Sequence, residues 1–238
     1  ACQSVGATCK GKAAGTFGHM GCFSFDPVKT ITCGEGGAVV TNDAKLYARA
    51  DQFSDHGHDH VGSDRGKEGH PIVGTNFRIS ELNAAVGLAQ LRKLDNILET
   101  QRKNKAYLKN VLGEVPGISF RRLIDPEGDS ATFLSFMLPD EDSARKAAGD
   151  LAAAGVDGCF YWFDNNWHYI RQWDHLKNLA AAARLPLQLL DDVPDYGKVS
   201  LPASDTIMGR TICMQIKLSW TRKGLEDRAA RIKSVFGL

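Results

Sequence analysis

Residues 22–40 read Cys-Phe-Ser-Phe-Asp-Pro-Val-Lys-Thr-Ile-Thr-Cys-Gly-Glu-Gly-Gly-Ala-Val-Val, which sets one primary amine, Lys29, five residues after a hydroxyl, Ser24, and ahead of a glycine-rich turn. Apolar, β-prone residues flank the pair, while Asp26-Pro27 and Gly34-Glu35-Gly36-Gly37 are turn signals. The spacing predicts a lysine in a turn between two short strands. A lysine held there is partly withdrawn from water, which disfavours its ammonium, and the neutral amine is the form that condenses with an aldehyde. A solvated surface lysine is the competing reading, and it is the ordinary fate of this residue type.

Such a pair needs a frame. Residues 1 to about 79 alternate short apolar runs with glycine-rich turns, the pattern expected of the parallel-sheet half of an α/β domain with helices over its faces. From Ser80 the period changes: Leu82, Val86, Ala89, Leu91, Leu94 and Leu98 recur at near-helical spacing, and Ser80 is suited to capping their N-terminus. One or two helices are predicted to about Leu112, ended by Gly113 and Pro116-Gly117. Strand-like runs follow at 118–123, 132–138, 156–162 and 212–219, and helix-like runs at 143–154 and 225–236. Strands interleaved with helices predict a second, smaller α/β domain. The expected organisation is one domain over 1–115 and another over 116–238.

The 238 residues carry a formal charge of +1 with both signs interspersed, so the broad basic surface that nucleic acid requires is absent. No apolar run approaches the roughly 20 residues that cross a bilayer, and the opening Ala-Cys-Gln-Ser has no signal-peptide pattern; the expected compartment is the cytoplasm. Six cysteines without a C-x-x-C pair point to reduced, mostly buried thiols.

The ordered motifs along the chain resemble the DegT/DnrJ/EryC1/StrS sugar aminotransferases, pyridoxal-phosphate (PLP) enzymes of fold type I. The likeness is carried by Ala1-Cys2-Gln3, Gly15 to Gly21, Ser24 and Lys29, Asp55-His56-Gly57, Gly74-Thr75-Asn76-Phe77-Arg78, and Ala84 to Leu91. It implies the C-terminal part of the large PLP-binding domain plus the small C-terminal α/β domain, with a further stretch of comparable size before Ala1. By the same likeness, Lys29 takes the cofactor aldehyde and then serves as the catalytic base, Ser24 donates to the cofactor phosphate, and Gln3 contacts the cofactor ring. Asn76 is implied to reach the phosphate of the neighbouring subunit's cofactor, hence a homodimer with shared active sites. The partners implied are a small-molecule sugar and an amino-acid donor, glutamate.

Residues 53–60, 125–130, 158–162, 165–169 and 216–221 resemble most closely members that aminate C8 of a 3,8-dideoxy-8-oxo-manno-octulosonate for lipopolysaccharide. Amination of a nucleotide-linked keto sugar is the alternative within the family. A non-catalytic binding or regulatory relative is the alternative from another class.

Two clusters remain. His56-Gly-His58-Asp-His60, with His70 beyond, has the composition of a metal site, and a spacing of two permits ligands on one strand face. The reading adopted has no metal: a polar loop lines the substrate, with His56, His58 and Arg78 as candidate substrate residues, while Arg78 could equally pair within the protein. Tyr161, Trp162, Trp167, His168, Tyr169 and Trp173 are too dense for an ordinary exposed loop. Packing at an interface is favoured for them over stacking on sugar.

Overall fold

A computed structural model describes all 238 residues, and the chain divides into two compact units: 1–103 with 123–132, and 104–122 with 133–238. The expected boundary near 115 falls inside the second unit, between the end of α3 and β5.

The first unit opens with two small antiparallel pairs. Strands β1 (Thr8–Cys9) and β2 (Lys12–Ala13) pair with each other, and β3 (Gly21–Ser24) pairs with β4 (Gly37–Val40) in the register Ser24 opposite Gly37. Gly37 is required there, because a Cβ would lie 2.7 Å from the Phe23 carbonyl oxygen. Helix α1 (Ala44–Ser54) starts where Asp43 accepts from the Lys45 and Leu46 amides. Helix α2 (Glu81–Leu91) starts at Ser80, whose hydroxyl accepts from Asn83 N, as the sequence predicts. Helix α2 has no buried residue, and Leu82 is 82% exposed. Helix α3 (Leu94–Gly113) ends the run. The buried residues of this unit include Ile31, Cys33, Ile97, Leu98 and Ala131.

The second unit has the larger core. Strands β5 (Ser119–Phe120), β6 (Phe133–Met137), β7 (Cys159–Phe160) and β8 (Thr211–Gln215) form one antiparallel sheet in the order β5-β6-β8-β7. Leu134, Phe136, Ile212 and Met214 alternate inward on β6 and β8, each at most 2% exposed. They pack with Leu108 and Leu112 of α3, Leu151 of α4 (Glu141–Ala153) and Ile232 of the last helix, α7 (Arg222–Phe236). Asp140 and Thr221 cap α4 and α7, and Gly237 closes α7 in the left-handed conformation. Two short helices, α5 (Asp174–Lys177) and α6 (Pro202–Gly209), lie in the intervening segment.

The dense aromatic run belongs to this unit. Trp162, Phe163 and Tyr169 are buried, Trp162 stacks on Phe160 at 4.7 Å and meets the His168 ring edge-on, and Trp167 stays exposed. The Tyr161 hydroxyl donates to Gly209 O, and burial first, then nearby carboxylates, raises its pKa to about 12. All strand pairings in the chain are antiparallel, so the parallel pairing expected over residues 1–79 is not seen: the strands there form two separate antiparallel pairs. No helix is long and apolar enough to cross a membrane, and the six cysteines are free thiols.

Candidate active site

Ser24 ends β3, and the chain then loops through 25–36 before β4 begins. Asp26 organises the first turn of that loop: its Oδ1 accepts from Val28 N at 2.9 Å, an Asx turn. Its Oδ2 lies 3.3 Å from Lys29 Nζ and 3.4 Å from Ser24 Oγ. Amine and hydroxyl therefore converge on one oxygen. The Val28 amide, then the charge and hydrogen bond of Lys29, hold the Asp26 carboxyl below its usual range despite partial burial. The Lys29 side chain is 17% exposed, neither sealed in nor free in solvent.

The far side of the loop is clasped. Cys33 N donates to Phe25 O at 2.9 Å, and the Asn83 side-chain amide, on the first turn of α2, donates to Cys33 O at 2.8 Å and Glu35 O at 3.0 Å. Thr30 Oγ1 is 3.2 Å from Thr132 Oγ1 of the returning segment 123–132. Cys33 is buried with its thiol on Glu35 O, which explains it as a packed residue of the loop.

Gln3 lies exposed in a turn, and the N-terminal segment is docked on β3 where the Ala1 amino group donates to Cys22 O at 2.9 Å. A separate cluster gathers His56, His58, Asn76 and Arg78 around Asp55. Asp55 pairs with Asn76 in an isolated antiparallel bridge, and Asn76 Oδ1 accepts from Arg78 N at 3.2 Å. The Arg78 guanidinium donates to Asp55 Oδ1, so it is engaged within the protein. His58 Nδ1 lies 2.9 Å from Glu68 Oε2, without hydrogen-bond directionality, and its ring is 4.2 Å from that of His70. His56 is exposed, with a φ of 56°. Its backbone N donates to Thr75 O.

Asn83 is an organising residue that the sequence reading passes over, and Asp26 and Asp55, read there only as part of a turn and of a motif, prove to organise the two clusters. Asn83, three residues after the cap Ser80, carries a signal of its own: a polar side chain at that helix position is free to reach a neighbouring loop.

A primary amine and a hydroxyl on a strand-to-strand loop, both pointing at an anion that is itself only part-buried, suit a phosphorylated aldehyde. The amine supplies a nucleophile, the hydroxyl supplies a donor to phosphate oxygen, and both could leave Asp26 for a stronger acceptor. The residues present fit PLP, with Lys29 and Ser24 to hold it.

Comparison with known proteins narrows the class. The profile of the DegT/DnrJ/EryC1/StrS aminotransferase family matches residues 1–227, and the chain belongs to that family. GDP-perosamine synthase of Escherichia coli O157:H7 is 42% identical over 110 residues, covering 46% of this chain and 29% of that protein. GDP-4-keto-6-deoxy-D-mannose 3-dehydratase of Yersinia pseudotuberculosis is 32% identical over 163 residues, covering 63% of this chain and 40% of that protein. Among solved structures, Helicobacter pylori PseC, an aminotransferase involved in the biosynthesis of pseudoaminic acid, superposes with a TM-score of 0.76 at 20% identity. That match covers all of this chain and 58% of PseC. The E. coli GDP-4-keto-6-deoxy-D-mannose 3-dehydratase with hydrated PLP bound gives a TM-score of 0.73 at 23% identity, over 98% of this chain and 59% of that one. The chain thus spans less than two thirds of the proteins it matches.

Proposed function

We propose that the protein to which this chain belongs is a PLP-dependent sugar aminotransferase with Lys29 as its catalytic residue. The observation that carries this reading is the convergence of Lys29 Nζ and Ser24 Oγ on Asp26 Oδ2, in a chain of this family that has lysine at the position. When bound, the cofactor supplies the electron sink that makes a C–H bond next to nitrogen acidic. Lys29 would anchor the cofactor, and its neutral amine would move a proton at the substrate carbon, a base role worth about 10²–10⁴ in rate. Asp26 holds the amine and the hydroxyl on one side of the loop, where both would be available to a phosphorylated aldehyde. Ser24 then donates to the phosphate, and Gln3, on the segment docked beside β3, contacts the ring.

Asn76 is exposed beside Phe77, which is 69% exposed, and α2 presents its apolar residues outward. That surface supports a homodimer in which Asn76 reaches the cofactor of the neighbouring subunit; the compartment we propose is the cytoplasm. The acceptor proposed is the C8 aldehyde of a 3,8-dideoxy-8-oxo-manno-octulosonate, with glutamate as donor, on the strength of the five segments that resemble enzymes of that substrate. A nucleotide-linked keto sugar is the second reading, favoured by the names of relatives such as GDP-perosamine synthase.

The test is borohydride treatment of the complete protein with PLP, followed by intact mass and peptide mapping. A single reduced adduct on Lys29, abolished in Lys29→Ala, is expected; an adduct elsewhere, or none, overturns the assignment. Turnover of the free sugar acid and of a GDP-linked keto sugar, measured side by side with glutamate, decides between the two acceptors.

A further inference from the structure

Asp55-His56-Gly57 and Gly74-Thr75-Asn76-Phe77-Arg78 sit at the two ends of the loop 56–75, and the structure shows what joins them. Backbone bonds close the neck: Thr75 N donates to Phe53 O, His56 N to Thr75 O and Phe77 N to Ser54 O, each at 2.9 Å. Gly57 and Gly74 allow the strands of the neck to touch. A Cβ on Gly74 would lie 2.5 Å from Gly57 N and 2.9 Å from Gln52 O, and one on Gly57 would strike Ile72 O.

Inside the neck lies the Asp55 carboxylate, 6% exposed. Its Oδ1 accepts from Arg78 Nη1 and, at 2.6 Å, from Arg65 Nη2; its Oδ2 is 3.1 Å from His60 Nε2. His60 Nδ1 is 2.8 Å from Asp51 Oδ2 on α1. A buried carboxylate must have its charge matched, and this one recruits donors from three points along the chain: 60, 65 and 78. Both nitrogens of His60 face carboxylate oxygens, so a ring with one proton can donate to only one of them.

We infer that Asp55 is a positioning residue for Asn76: by holding Arg78, it fixes Asn76 in the bridge to its own backbone, and His60, set between the Asp51 and Asp55 carboxylates, ties this hold to the end of α1. The functional half of the inference rests on the reading of Asn76 as a cofactor-reaching residue; the structural half does not. The charges around His60 agree. Asp51 first, then Asp55 and the more distant Glu68, raise its pKa above the ordinary 6.5, against some loss from burial, while His58 is stacked 6.4 Å away and Arg65 and Arg78 face Asp55. Asp55 is pushed up by burial, yet His60, Arg78 and Arg65 more than offset this and bring it down to about 2.

The test uses the complete protein and two readouts. Amide hydrogen exchange at Thr75 and Phe77 reports the hold. Asp55→Asn and Arg78→Gln should each raise the rate about tenfold or more, and the double variant should go no further than Asp55→Asn, which already removes the Arg78 tie along with those of Arg65 and His60. Corrected for intrinsic base catalysis, wild-type exchange should step up as pH rises through the His60 titration above 6.5, and His60→Gln should show no step. Affinity for pyridoxine 5′-phosphate reports the function: Asp55→Asn should lose as much as Asn76→Ala, and the two together no more. Protection unchanged within twofold in a folded Asp55→Asn or Arg78→Gln protein overturns the hold. Additive losses in affinity overturn the link to Asn76. Wild-type protein that binds no cofactor analogue defeats the functional reading while leaving the exchange result to judge the hold. Should Asp55→Asn fail to fold, Arg78→Gln and His60→Gln carry the same comparison.

Discussion

Ser24→Ala separates the chemistry of the β3 loop from its stability. In the structure the hydroxyl has one partner, Asp26 Oδ2, at 3.4 Å, the outer limit of a hydrogen bond, and Ser24 is the smallest of the contributors that depress the Asp26 pKa. A hydrogen bond to a charged group is worth about 1.5–3 kcal/mol at ordinary length, but one at this limiting distance in a part-exposed loop is worth far less, so unfolding free energy should fall by less than about 1 kcal/mol. Bound to cofactor, the same hydroxyl would donate to a phosphate anion. Hydrogen bonds to charged groups are worth about 1.5–3 kcal/mol, roughly a ten- to hundredfold loss of affinity at about 1.4 kcal/mol per tenfold. The assay pairs urea denaturation with titration by pyridoxine 5′-phosphate, which has no aldehyde and so isolates the phosphate contact from Lys29. Pyridoxine itself should bind the variant and the wild type alike. Affinity for the phosphate ligand within about twofold of wild type, or a stability loss above about 2 kcal/mol, would refute the assignment of Ser24 to the phosphate.

Three further outcomes are expected. Phe136→Ala removes a fully buried ring from the centre of the β6–β8 core and should cost about 3–5 kcal/mol, read as a lower urea midpoint. Asp157 is held below the usual carboxylate range by Lys217 first and by buried Arg228, whose Nη1 donates to Asp157 Oδ1 at 2.7 Å. The stability it contributes is present above its ordinary value of 3.8 and is lost as pH falls through its depressed one; Asp157→Asn should therefore be less stable than wild type at neutral pH, with the gap closing in acid denaturation curves. Gly74→Ala puts a Cβ against backbone at Gly57 and Gln52, so the neck of the 56–75 loop must open, and limited proteolysis should cut between 58 and 70 faster than in wild type.

Much of this arrangement was legible in the residues. The turn signals at Asp26-Pro27 and at 34–37 bracketed Lys29 between two strands, which is where β3 and β4 leave it. Ser80 caps α2 as its type and place imply, and the apolar periods at 143–154 and 225–236 coincide with α4, to within its C-cap Ala154, and with α7. Three things were not legible, each for a physical reason. Arg78 carries the same charge whether it meets substrate or a protein carboxylate, and only the fold shows Asp55 beneath it. Helix α6 begins at Pro202, a residue accepted at a first helical turn, and its 8 residues are too few to show a helical period in the sequence. The aromatic run signals burial without naming what buries it, and the answer, the rings of one another and the α6 segment, depends on contacts such as Tyr161 to Gly209 that span 48 positions.

The return of 123–132 to the first unit has a practical bearing on any attempt to take the molecule apart. Lys10 N donates to Asp125, Thr8 N to Gly128 O, Arg102 Nε to Asp129 O, and Thr30 meets Thr132, so ten residues threaded between β5 and β6 are fastened to partners that precede position 104. A cut at any single peptide bond cannot yield both bodies whole: a piece beginning at 104 keeps the decapeptide but strands it without its neighbours. Dissection would need that stretch replaced by a short inert bridge, and recombination between relatives should tolerate crossovers only where they carry this ribbon along with residues 8–30.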